Sequence, residues 1–195
     1  MAVLPLVYAP NPIFRQKAVP VETVDDDIRQ LVDDMLETMY AERGVGIGAN
    51  MVGILKRIIV LDLQQDGNRN PLVCINPKII WYSEDKSQME EASLSFPGIS
   101  AVVSRPRAIH ISYLDRDGVE HELEAEGDLA TVIQHEMDYL DGRTYLDHLS
   151  KLKRDQLLKK MVKVQKFGHV HGPGCGHDHH HGHDHVHGPH CDHDH

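Results

Sequence analysis

From Gly168 to His195 the chain reads GHVHGPGCGHDHHHGHDHVHGPHCDHDH, which holds twelve of the sixteen histidines among glycine, aspartate, proline and two cysteines. Such a stretch has almost no apolar side chain to bury, so it is expected to be disordered without metal. Any hydrophobic core must therefore come from residues 1–167. That length suits one domain, and the chain divides into a folded domain at 1–167 and a histidine-rich tail at 168–195.

Within the first 167 residues the firmest helix runs from Asp25 to Tyr40. Ile28, Leu31, Val32, Met35, Leu36 and Met39 recur there at spacings of three and four, with Thr23 followed by Asp26 as the expected cap. The glycines of GVGIGANMVG, Gly44 to Gly53, then predict a structured loop with close backbone approach. Strands are predicted at Arg57–Leu63, Leu72–Trp81 and Ala101–Val103, where β-branched and apolar residues predominate. AIHISYLD alternates, and Asp117-Gly118 turns it into VEHELEAEG, which makes a hairpin with Ile109, Ile111 and Tyr113 on one face. A second helix is expected from a cap at Asp128 through LATVIQHEMDYL to Gly142. A third, from about Ser150 to Gln165, carries Leu152, Leu157, Leu158 and Met161 on one side and lysines elsewhere. Strands and helices without regular alternation imply an α+β domain.

The formal charge is −10 and no basic run dominates the first half, which argues against a DNA-binding surface. MAVLPLVYAPNPIF has neither a charged leader nor an apolar membrane span, so a cytoplasmic protein is expected. Cys74 lies in an apolar run and reads as a buried thiol. Cys175 and Cys191 lie among the tail histidines, a pattern of metal ligation and not of a disulfide framework.

Chemistry enters with QHEMDYLDG, Gln134 to Gly142. It nearly repeats HExxH, in which two histidines one helical turn apart bind a metal and the glutamate acts as general base. Alone this signal is weak. Read with GVGIGANMVG and with EASLSFPGI, Glu91 to Ile99, the three segments resemble the signatures of peptide deformylases, roughly GxGLAAxQ, EGCLS and QHExDHLxG. The resemblance spans nearly all of residues 1–167. It implies a deformylase-like α+β fold, with antiparallel sheets around a central HExxH-type helix and a basic C-terminal helix. It also implies an ancestral reaction in which water activated by Fe2+, Zn2+ or Ni2+ removes formate from N-terminal formylmethionine.

The family's metal ligands fall here on Ser93 in place of cysteine, on His135, and on Tyr139 in place of histidine. A serine hydroxyl keeps its proton near neutral pH and ligates divalent metals poorly. A phenol, with a reference pKa of about 10, ionises at a cost. One imidazole cannot hold a metal that needs three protein donors, so no metal is expected in the pocket. Met51 replaces the family's oxyanion-stabilising glutamine and has no donor. Glu136 matches the general base but would lack a metal-bound water, and Leu94 completes the matched catalytic segment. Gly44, Gly46, Glu91, Arg105, Gln134, Asp138, Leu140 and Gly142 are kept, and in the family the Glu91 and Arg105 positions form a buried ion pair. A catalytically impaired deformylase homologue is the expectation, against two alternatives: an active enzyme with atypical ligation, or a metal-storage or metal-delivery protein.

In the tail, His169, His171, Cys175, His177, His179, His180, His181, His183, His185, His187, His190, Cys191, His193 and His195 supply donors suited to Ni2+, Zn2+ or Cu2+. Their irregular spacing is unlike an uninterrupted purification tag. By family resemblance, the other expected partners are N-terminal methionine peptides and the ribosome, the latter through Lys151, Lys153, Arg154, Lys159 and Lys160.

Overall fold

A computed structural model of the chain describes residues 2–167; the expectations for the tail lie outside the described residues. Five strands form one antiparallel sheet: β1 (Gly46–Gly48), β2 (Ile58–Leu61), β3 (Leu72–Tyr82), β6 (Ala108–Leu114) and β7 (Glu120–Glu126), in the order β1-β2-β3-β6-β7. The remaining two, β4 (Lys86–Ala92) and β5 (Ser100–Pro106), make a separate hairpin in which Glu91 faces Ala101. Three helices complete the α+β fold: α1 (Asp26–Ala41), α2 (Gly127–Leu140) and α3 (Lys151–Phe167).

Sequence pattern accounts for most of these elements. In α1 the buried residues Ile28, Val32, Met35 and Met39 are the predicted stripe, but the cap is Asp25, whose carboxylate accepts from the Ile28 amide at 3.0 Å. Neither Thr23 nor Asp26 serves. Asp25 holds the extended backbone that a cap needs, while Asp26 is already inside the first turn. The β6–β7 hairpin forms as predicted, with Ile109 and Ile111 buried and Tyr113 packed on the same cluster. Within β3, Asn76 adopts φ +53° where the pairing with β6 shifts register, and its side-chain amide bonds both the N–H and the C=O of Val21 at 2.8 Å. This ties the N-terminal segment to the sheet.

The helix that carries the His–Glu pair, α2, lies between two apolar clusters. Ala130, Ile133, Met137 and Leu140 join Ile59, Leu61, Cys74, Ile109 and Ile111 on one side; Tyr139 joins Phe14, Phe96, Met51 and Tyr145 on the other. Burial on both flanks brings Gln134, His135 and Glu136 inside as well. Here too the expected cap differs. Glu126 occupies the cap position without a side-chain bond, and Asp128 sits in the first turn, where its charge still favours the helix N-terminus. The helix stops at Gly142, whose φ is +71° and where a Cβ would come within 3.0 Å of the Arg15 backbone.

In α3, Met161 is buried and Leu157 and Leu158 pack on the core, whereas Leu152, expected on the same stripe, is 70% exposed. It lies in the first turn, beyond the edge of the core that the later leucines reach. Among the described residues no helix is long and apolar enough to cross a membrane.

Candidate functional site

The three motif segments converge on one cavity of about 530 Å3, bounded by Gly44–Gly46 with Met51, by Met89–Leu94, and by Thr131, Val132, His135 and Glu136 of α2. Close approach of β1 to α2 is what closes it. At Gly46 a Cβ would lie 3.0 Å from Val132 Cγ1 and 3.1 Å from Glu136 Oε1, so only glycine lets the strand pass the carboxylate. Leu94 stands beside Gly44 and forms part of the wall.

His135 and Glu91 are both buried, and His135 Nδ1 lies 2.7 Å from Glu91 Oε2. Arg105, with a side chain 4% exposed, grips the same carboxylate with Nε at 2.6 Å and Nη2 at 2.9 Å, and reaches Asp138 with Nη1 at 2.8 Å. His148 closes this network, its Nε2 lying 2.6 Å from Asp138 Oδ2. Burial alone would raise the carboxyl of Glu91, but the bonds from Arg105 and His135 outweigh it and hold the group below its ordinary value. Because Glu91 is an acceptor, Nδ1 must carry the imidazole proton, which leaves Nε2 as the acceptor of the neutral ring. This is the arrangement by which a carboxylate orients a metal-binding histidine.

The other two positions expected to ligate, Ser93 and Tyr139, do not offer comparable donors. Tyr139 is fully buried, one turn along α2 from His135, with ring centroids 5.3 Å apart. Its ring also meets Phe14 edge-on at 5.5 Å and Phe96 at 6.2 Å. The phenol is held well above its ordinary pKa, chiefly by burial; Ser93 is near enough to oppose this, yet the hydroxyl makes no hydrogen bond of good geometry. Ser93 Oγ accepts weakly from the Ser95 amide at 3.3 Å. Among the described residues no group of three or more His, Cys, Asp or Glu side chains is arranged to hold a metal ion. A protonated phenol locked in an aromatic cluster, a serine hydroxyl and one imidazole do not fit the three-donor set of a catalytic Zn2+, Fe2+ or Ni2+.

Glu136 is buried, its Oε2 has no partner among the described residues, and burial pushes its pKa up to about 7 against the opposing pull of His135 and the Gly48 amide. Met51 is 1% exposed and presents no donor to the cavity it lines. Two participants escaped the sequence reading. His148 stands outside all three motifs, and Asn50, inside the first, donates to the Tyr139 carbonyl at 2.8 Å and so ties the glycine loop to α2. A polar residue in an otherwise apolar and glycine-rich loop was the available signal for Asn50; His148 had none.

An antiparallel α+β frame with a buried His–Glu pair on its central helix, facing a glycine-edged cavity, defines a hydrolase architecture of the deformylase kind. The family described as polypeptide deformylase matches residues 3–155, and this chain belongs to it. It is 57% identical over 174 residues to the "Peptide deformylase-like" protein of Rickettsia conorii, covering 88% of this chain and 95% of that one. To the peptide deformylase of Rhizobium meliloti it is 49% identical over 167 residues, covering 85% and 96%. Among solved structures, the peptide deformylase of Ehrlichia chaffeensis in complex with actinonin superposes with a TM-score of 0.80 at 41% identity, covering 85% of this chain and 99% of that one.

Proposed function

We propose that this protein is a deformylase homologue whose pocket has given up efficient metal-dependent deformylation and retains a site for the N-terminus of a methionyl peptide, with a histidine-rich metal-binding tail at 168–195 appended to the domain of 1–167. The single observation that carries this reading is Tyr139. Its ring occupies an aromatic cluster and its protonated hydroxyl stands where a ligand should be. Ser93 supplies no thiolate, and Met51 removes a donor whose loss alone costs roughly 100- to 1,000-fold in rate. His135 and Glu136 are then remnants of the ligand and base positions. Leu94 is part of the pocket wall. On α3, Lys151, Lys153, Lys159 and Lys160 are exposed and form a solvated basic face, open to the ribosomal contact that the family suggests.

Two observations favour a second reading, a working amidohydrolase with unusual ligation: burial pushes the pKa of Glu136 up to about 7, where a general base is effective, and Glu91 keeps His135 oriented. The test is hydrolysis of formyl-Met-Ala-Ser by the full chain and by the chain truncated after Phe167, each loaded anaerobically with Fe2+, Ni2+ or Zn2+. The impaired reading expects no turnover above free metal from either. Turnover that Glu136→Gln abolishes supports the second reading, and its loss on truncation would show that the tail lends a ligand.

A further inference from the structure

Resting on the metal-binding tail of the preceding section, we propose that residues 168–195 carry two equivalent Zn2+ sites, each built from one copy of a repeated segment and each using a cysteine thiolate beside imidazoles. The repeat reads H-V-H-G-P-x-C-x-H-D-H. It spans residues 169–179 and again 185–195, and the copies agree at nine of eleven positions, differing at Gly174 against His190 and at Gly176 against Asp192. Enrichment in histidine does not account for this, because valine, glycine, proline, cysteine and aspartate recur at the same offsets.

One copy is enough for one ion. In the first, His169, His171, Cys175, His177 and His179 offer one more donor than the four that a tetrahedral Zn2+ takes. The Gly-Pro pair between the leading histidines and the cysteine favours a turn, which brings the two ends of the repeat to a common centre. A thiolate among imidazoles suits Zn2+ and not the harder, oxygen-seeking ions, and binding expels the thiol proton. The folded domain does not compete for the ion. Each of its four histidines has a ring nitrogen engaged by a carboxylate: His110 at 3.3 Å from Glu124, His121 at 2.7 Å from Asp115, His135 at 2.7 Å from Glu91 and His148 at 2.6 Å from Asp138. Among the described residues no third His, Cys, Asp or Glu joins these pairs in a metal-holding group. Cys74, the one cysteine of the domain, is fully buried, and burial pushes its thiol pKa up. Thiolate ligation is left to Cys175 and Cys191.

The experiment is anaerobic titration of the reduced, metal-free full-length chain with Co2+, a spectroscopic stand-in for Zn2+, read by the thiolate-to-cobalt charge-transfer band and followed by addition of Zn2+. The band is expected to saturate at two ions per chain, one for each copy of the repeat, and to vanish as Zn2+ displaces the probe. Cys175→Ser and Cys191→Ser are each expected to halve it. Deletion of residues 180–184, which separate the copies, is expected to leave it whole. Saturation at one ion, with either serine variant removing the entire band, overturns the pair of sites in favour of one ion shared by both cysteines. Loss of the band on deletion of 180–184 overturns the assignment to the repeats, and failure of Zn2+ to displace Co2+ overturns the choice of ion. Several ions bound without a thiolate band overturn the proposed sites while leaving a metal-binding tail standing. Absence of any bound ion overturns the sites and the metal-binding tail together. All of these changes fall outside residues 1–167, so no outcome depends on whether a variant domain folds.

Discussion

His135 Nδ1 sits 2.7 Å from Glu91 Oε2, and Arg105 clamps that same carboxylate with two nitrogens. The histidine is thus held as a ligand would be held, although the side chains that would share an ion with it are a serine and a caged tyrosine. The presence of this support has a structural cause. Glu91, Arg105 and Asp138 lie largely out of water and satisfy one another, so none can leave without stranding a charge.

Arg105→Ala follows directly from that network. It would leave the buried Glu91 and the largely buried Asp138 with only the imidazoles of His135 and His148 as partners, and the expected loss is about 3–5 kcal/mol in folding free energy. Urea unfolding measures it. A loss below about 1 kcal/mol would show that the pair relaxes into water and that the network is not what keeps the pocket floor in place.

At Tyr139 the hydroxyl is buried without a hydrogen bond of good geometry, whereas the ring fills an aromatic cluster. Tyr139→Phe is therefore expected to be neutral or to stabilise by about 1 kcal/mol, and Tyr139→Ala to cost about 3–5 kcal/mol. Chemical denaturation of both variants separates hydroxyl from ring. If Tyr139→Phe destabilises by more than about 1 kcal/mol, a bond to Ser93 exists in solution and the hydroxyl is structural.

Acid stability should depend on Asp62, which is not among the residues that line the pocket. Its carboxylate accepts from the Tyr40 hydroxyl at 2.6 Å and from the amides of Gln64 and Asn70 at 2.8 and 2.9 Å. Burial works to raise its pKa, but these bonds outweigh burial and hold it below the ordinary value of 3.8. A depressed folded pKa means that the unfolded chain takes up the proton first. The stabilisation is complete above the unfolded pKa and disappears as pH falls through the folded one. The urea midpoint of the unmodified protein should drop more steeply between about pH 5 and pH 3 than that of Asp62→Asn. Parallel curves would remove Asp62 from the account.

Truncation after Phe167 should remove binding of several Ni2+ or Zn2+ ions per chain, read by calorimetry, and leave the thermal transition of the metal-free protein unchanged. Retained multi-ion binding by the truncated chain would locate the metal chemistry in the domain.

Much of this was legible in the sequence, for identifiable reasons. The α1 stripe, the β6–β7 alternation and the stop at Gly142 are periodic or stereochemical signals that survive without tertiary knowledge. Helix caps were not, because Asp25, Asp26 and Asp128 are chemically alike and only backbone conformation decides which one caps. Leu152 looked like core from spacing alone, yet the surface that α3 covers ends before it. In the pocket, the three motifs named the replaced positions. What no motif shows is that Tyr139 would be caged by Phe14 and Phe96, from distant segments, or that Glu136 Oε2 would be left without a partner.

The most direct test of the central claim is the triple variant Met51→Gln, Ser93→Cys, Tyr139→His in the full-length chain. It would be loaded anaerobically with Fe2+ or Ni2+ and assayed on formyl-Met-Ala-Ser beside the unmodified protein. The account predicts that the variant gains one metal ion insensitive to deletion of residues 168–195 and acquires turnover, while the unmodified protein shows none. Deformylation by the unmodified protein at a rate the triple variant does not exceed would contradict it, and would mean that Ser93 and Tyr139 belong to a working centre.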